Sequence, residues 1–209
     1  MMDPASLSAV AGAFFLVAVA PGPATLGCAA VSMGHGRRAG FAFGAGLGIG
    51  LAFWGVLAAL GLGAILAAHA QALIVLKLLG GAYLLWLAWQ SGRSALSGPG
   101  AEAANIRSGR WLRRGLFLNL SNPKAVFAWL ASLSLGLGPE ASMGAVILAT
   151  AVCAAIGFAI YVPWIVGFSH PPVMRLYRRF RFWVDGVVAA LFAAAGLALI
   201  RSALMRAPS

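Results

Sequence analysis

Apolar residues run along this chain in six long stretches divided by short polar ones. The stretches cover roughly 7–32, 39–66, 70–90, 114–137, 142–168 and 182–201, each with about the 20 residues that a helix needs to cross a hydrocarbon core. Between them lie Met33-Gly34-His35-Gly36-Arg37-Arg38, the brief Ala67-Ala68-His69, the longer 91–113, Gly138-Pro139-Glu140 and 169–181. The pattern predicts an all-α polytopic membrane protein with six transmembrane helices.

Two of these helices are interrupted. The first contains Ala20-Pro21-Gly22-Pro23-Ala24 and the fourth Ser121-Asn122-Pro123-Lys124. A proline deprives the carbonyl four residues earlier of its amide partner, so Pro21 frees Val17, Pro23 frees Val19 and Pro123 frees Asn119. Pro123 also pushes Asn122 out of helical geometry. Unpaired backbone at membrane depth is tolerated only against protein or a wet cavity. The half-helices that begin near Ala24-Thr25 and at Ala125 would present exposed N–H groups and a partial positive charge.

Composition agrees with a membrane protein. The chain is 62% hydrophobic and 9% charged, against about 25% charged residues in soluble domains. Its formal net charge of +11 does not mark a nucleic-acid binder, because the basic residues sit in short clusters between apolar runs, where they set topology against anionic lipid. Eleven of the fifteen lie in the loops after the first, third and fifth stretches: Arg37 and Arg38; Arg93, Arg107, Arg110, Arg113 and Arg114; Arg175, Arg178, Arg179 and Arg181. Only Arg201 and Arg206 lie on the other side, so the positive-inside rule places both termini outside. Ala18-Val19-Ala20 imitates a signal-peptidase site, but Asp3 and the lack of an N-terminal positive charge argue that the first helix is retained.

A three-helix half crosses an odd number of times, so the second half has the opposite orientation. A shift of 100 residues sets Pro23 over Pro123 and Ser32 over Ser132. Broken helices at matching positions of inverted repeats are the mark of a secondary transporter with a midplane site. The chain thus reads as one transmembrane transporter domain: repeat one about 7–90, a cytoplasmic loop about 91–113, repeat two about 114–201.

Lys124 is the sharpest candidate for the chemistry. It lies about 15 Å along the fourth helix from Arg114 and so near the membrane centre, where a lysine costs about 2.5–3.5 kcal/mol and must face a cavity or a partner. It suits a carboxylate, with the freed carbonyls serving an ammonium; the alternative is a lysine that stabilises the break itself. Lys77 reads equally as a site residue or a snorkelling anchor, and Tyr83 as a core or a site residue. Asp185 is expected to pair with Arg181 one turn earlier, and Glu140 to be solvated. Gly40, Gly44, Gly46, Gly48 and Gly50 form a close-packing face on the second helix. Trp111 and Trp183 read as interfacial anchors. His35, His69 and His170 are scattered over loops, so no metal site or other cofactor is expected, and Cys28 and Cys153 read as buried thiols.

Pro21-Gly22-Pro23, Gly34-x-Gly36-Arg37-Arg38-Ala39-Gly40, the glycine ladder 44–50, Leu76-Lys77-Leu78-Leu79-Gly80-Gly81-Ala82-Tyr83-Leu84, Gly115-Leu116-Phe117-Leu118-Asn119-Leu120-Ser121-Asn122-Pro123-Lys124-Ala125 and the Gly186/Gly196 spacing together resemble the lysine exporter and homoserine/threonine exporter (LysE/RhtB) family. The resemblance runs from about Phe14 to Ile200. It implies a bacterial inner-membrane exporter of amino acids or related small metabolites, driven by the proton gradient and not an enzyme. One departure stands out: family members usually place an acidic or amide residue after Pro-Gly-Pro, and this chain has Ala24. The expected substrate-binding set is Pro21, Gly22, Pro23, Thr25, Lys77, Asn119, Asn122, Pro123 and Lys124. Its expected partners are a small molecule, protons and membrane lipid, with a homo-oligomer left open. The alternatives are a membrane thiol–disulfide carrier, which needs paired cysteines in helices one and four, and a metal-ion exporter, which needs an acidic or histidine cluster.

Overall fold

The computed structural model describes residues 2–68, 70–96, 109–137 and 141–205, which are all helical apart from short turns, with no strand among them. The helices are α1 (Pro4–Val19), α2 (Pro23–Ala68), α3 (Ala70–Leu96), α4 (Trp111–Leu120), α5 (Pro123–Gly136), α6 (Met143–Phe168) and α7 (Pro171–Leu204). His69, Arg107, Glu140 and Arg206 lie outside the described residues, and so do the expectations placed on them. By length and composition alone, three stretches are long and apolar enough to cross a membrane: Pro23–Gly61, which contains a turn at Gly36, Met143–Phe168 and Arg179–Leu204. The prolines divide the first and fourth predicted segments into shorter pieces, α1 and the start of α2, and α4 and α5.

Local chemistry explains the ends. Asp3 caps α1 by accepting the Ser6 N–H at 2.9 Å, and the Ser6 side chain, then this backbone bond, hold its carboxyl below the usual range. Pro23, Pro123 and Pro171 each occupy a first helical turn, where a missing N–H costs nothing. Asn122 is extended (φ −93°, ψ 106°) and caps α5 through its side chain. Asn122 thus takes the pre-proline geometry expected of it.

Two predicted loops shrink. The 33–38 stretch is a single non-helical residue, Gly36 (φ 80°, ψ 169°), a conformation that favours glycine. The chain doubles back there, because Gly27 approaches the Phe43 ring, Gly44 approaches Cys28, and Gly40 abuts Ser32. The 169–181 stretch is mostly helix, since α7 starts directly at Pro171; its arginines and aromatics are adequate helix formers.

The arginine-bearing turns gather at one end of the molecule. Arg37 Nε donates to Ser169 Oγ at 2.8 Å and its Nη2 lies 2.5 Å from His170 Nε2. His35 packs at a tilt against Trp111 with ring centroids 4.6 Å apart.

From this end the helices pair in three antiparallel sets. Along α1 and α5, Ser6 and Val10 meet Gly136, and Phe14 meets Trp129. Along α2 and α6, Gly44 meets Ile165 and Gly48 meets Phe158. Along α3 and α7, Lys77 meets Ser202, Gly81 meets Gly196, and Ser94 meets Asp185. The outward faces are apolar: Leu60, Ile147, Leu197 and Trp183 are each about 60% exposed or more, as expected of surfaces that meet lipid and not water.

Candidate functional site

The Pro-Gly-Pro break lies at the seam of two apolar clusters. Val17 and Ala20 belong to one, with Phe14, Trp129 and Cys153; Ala24 and Cys28 belong to the other, with Phe43, Tyr161 and Ile165. Between them stand two prolines and Gly22, and Gly22 is held by polar contacts with Thr25.

Ala20 precedes a proline and turns extended (ψ 141°), which swings its carbonyl out of α1. That carbonyl accepts a hydrogen bond from Lys124 Nζ at 2.7 Å. Gly22 is where Lys124 passes, for a Cβ there would stand 3.2 Å from Nζ and 3.5 Å from Cδ. Thr25, buried, accepts the Gly22 N–H at 3.0 Å and donates to the Gly22 carbonyl at 3.2 Å, with the Ala20 carbonyl at 3.5 Å as its alternative. This is half of a capping box at the start of α2.

The second break faces the first. Asn122 Oδ1 accepts the Lys124 N–H at 3.1 Å, and its Nδ2 donates to Asn119 Oδ1 at 3.3 Å. Asn119 Nδ2 in turn donates to the Leu47 carbonyl at 2.6 Å and to the Tyr161 hydroxyl at 3.3 Å. Both amide protons and the amide oxygen of this fully buried side chain are therefore used. One turn further along α2, the Leu51 carbonyl accepts Trp129 Nε1 at 2.8 Å.

Two cavities meet at the break. A vestibule of about 880 Å³ opens at the arginine-bearing end and is floored by Pro21, Gly22 and Pro23. Its walls include Gln90, Ser94, Arg114, Tyr177, Arg181 and Asp185. The expected Arg181–Asp185 ion pair is present at 3.2 Å. Ser94 completes it by donating to Asp185 Oδ2 at 2.7 Å and accepting from Arg181 Nη2 at 2.7 Å. Burial, then the Asp185 charge, pushes the Tyr177 phenol up to about 12, so it remains neutral at cellular pH.

Beyond the floor lies a chamber of only about 30 Å³, lined by Gly22, Pro23, Thr25, Asn119, Asn122 and Lys124, with Tyr161 and apolar neighbours. Gly22 and Pro23 are common to both spaces and form the wall between them.

Seven of the nine expected site residues thus converge on the break. Lys77 does not. It is buried between α3 and α7, where its Nζ donates to Ser202 Oγ at 3.0 Å, and it lines neither of these cavities. Pro123 is exposed at the start of α5 and shapes the site only by setting the helix end. The Asn119 carbonyl is not free either, because it accepts the Asn122 N–H at 3.1 Å. The carbonyl that meets Lys124 is that of Ala20, which was not among the freed carbonyls expected at Val17, Val19 and Asn119. Tyr161 has no comparable signal, being one hydroxyl inside an unbroken apolar run.

The cysteines lie in separate apolar clusters on α2 and α6, and no group of three metal-ligating side chains occurs among the described residues.

Residues 15–203 match the family described as LysE type translocator. The threonine efflux protein of Escherichia coli (strain K12) is 31% identical over 202 residues, which cover 92% of this chain and 96% of that protein. An uncharacterized membrane protein of the same organism, YahN, is 31% identical over 205 residues, or 95% and 91% of the two chains. The homoserine/homoserine lactone efflux protein of Salmonella typhimurium (strain LT2) is 37% identical over 119 residues, or 56% and 57%. No solved structure matches the chain.

Proposed function

The chain belongs to the LysE type translocator family, whose members are transporters and not enzymes, and from that premise we propose that it is a secondary exporter of small amino acids or their close derivatives. It works in the bacterial inner membrane, coupled to protons, by alternating access at the paired breaks. The observation that carries the reading is the bond from Lys124 to the Ala20 carbonyl, which ties one break to the other. An ammonium held by a neutral carbonyl can exchange it for a carboxylate, which adds the attraction of a full opposite charge in a low-dielectric site. Substrate binding would therefore release Ala20 and loosen the wall formed by Gly22 and Pro23.

The antiparallel pairs α1 with α5, α2 with α6 and α3 with α7 support two inverted three-helix repeats in one domain. Corresponding helices of such repeats run in opposite directions about an axis in the membrane plane. With the arginine-rich end in the cytoplasm and both termini outside, the vestibule opens toward the side from which an exporter takes its load. The names of the threonine and homoserine efflux relatives make small neutral hydroxy amino acids the first substrates to try.

The test is efflux from preloaded proteoliposomes under an imposed proton gradient. Threonine or homoserine should leave the vesicles, a protonophore should stop the process, and Lys124→Ala should abolish it while the variant still inserts. Wild-type rates in that variant would refute the assignment.

A further inference from the structure

The vestibule holds charged chemistry that transport through the Lys124 chamber does not require. Asp185 is one of only four acids in the chain and the one that lies within an apolar stretch. It is 3% exposed, yet it lines the vestibule. Both of its hydrogen bonds, from Ser94 and Arg181, fall on Oδ2, and Oδ1 has no partner among the described residues. Arg114 also lines the vestibule. Its guanidinium lies over the Trp111 ring at 5.6 Å and has no carboxylate partner among the described residues. Among the described residues, one carboxylate oxygen without a partner and one guanidinium without a carboxylate therefore share a cavity of mixed polar and apolar lining, whose volume exceeds that of the inner chamber many times over.

We infer that the vestibule is a capture subsite for a zwitterion. Asp185 takes the primary ammonium, with Ser94 and Arg181 fixing the carboxylate in place, and Arg114 takes the carboxylate. The subsite rests on the export reading and adds a first station to it, on the near side of the Gly22–Pro23 wall. Recognition of both charges outside the chamber also accounts for an Ala24 that supplies no acid or amide at the break itself.

The test is binding to the purified full-length chain by titration calorimetry, with L-threonine, L-threoninamide (no carboxylate) and N-acetyl-L-threonine (no ammonium) as probes. Asp185→Asn alone leaves Arg181 unpaired and risks misfolding, so the working variant is Arg181→Gln/Asp185→Asn, which removes both charges together. It should weaken threonine and threoninamide about tenfold, the loss of one charge-assisted bond, and leave N-acetylthreonine unchanged. Arg114→Gln should do the reverse, weakening threonine and N-acetylthreonine and sparing the amide. Wild-type affinities for all three probes in both variants would overturn the subsite while vesicle efflux continued. Failure of the export reading has a different signature, because the unmodified protein would then bind none of the probes and release no amino acid, and the subsite would fall with it.

Discussion

At the scale of single residues, the candidate site is a set of short-range hydrogen bonds around Lys124, several of them sharing an atom. Gly22→Ala tests the packing, since a Cβ 3.2 Å from Nζ would make the lysine tip give by a few tenths of an ångström and strain its bond to the Ala20 carbonyl. Efflux in proteoliposomes should fall by less than about tenfold, the worth of one full hydrogen bond to a charged group, with unchanged insertion. Asn119→Ala removes the bonds to the Leu47 carbonyl and Tyr161 and leaves buried groups unpaired. It should cost about 1–3 kcal/mol of stability, visible as a lower unfolding temperature in detergent. Lys124 and Asn122 were legible in the sequence because a charge and a proline inside an apolar run each break a rule strong enough to notice. Lys77 breaks the same rule and still belongs elsewhere, for its partner Ser202 is separated from it by 125 residues. No local pattern reports such a pairing. The Ala20 carbonyl is backbone, so nothing in its side chain draws the eye.

Among the elements, α2 is the one against which α4 and α6 are placed. Its glycines let α4 come so near that a Cβ at Gly46 would run into the Leu112 carbonyl, and one at Gly115 into the Phe43 carbonyl. Gly115→Ala should therefore destabilise the purified protein by about 1–3 kcal/mol, the usual cost of overpacking. Gly12→Ala, which meets nothing within 4 Å, should be neutral or raise the unfolding temperature through helix propensity. The small-residue spacing announced this face, and the structure supplies what it receives. Where α7 begins was not legible, because a stretch as rich in arginine as 171–181 reads as loop until Trp164 and Phe168 are seen to hold Tyr177, with ring centroids 6.0 and 5.5 Å away. The turn at Gly36 was foreseen as six residues and needs one, since a positive φ reverses the chain without a longer connection.

For the whole molecule, the six apolar stretches were plain from their length alone, whereas the pairing of helices across the two halves depends on contacts between distant residues. One prediction belongs at this scale. A Cys28→Ala/Cys153→Ala protein should transport at the wild-type rate, because the thiols occupy separate clusters; complete loss of activity would revive a thiol–disulfide carrier. The thin wall at Gly22 and Pro23 has a bearing on the cell's energy supply. A water needs about 10–15 Å³ of such space, so a chamber of about 30 Å³ holds a couple of isolated molecules and no continuous file. The expected consequence is a protein that does not leak ions while the wall is closed. Bacteria that overproduce it should hold a normal membrane voltage, as read by a potential-sensitive dye, and would depolarise if the passage behaved as an open pore.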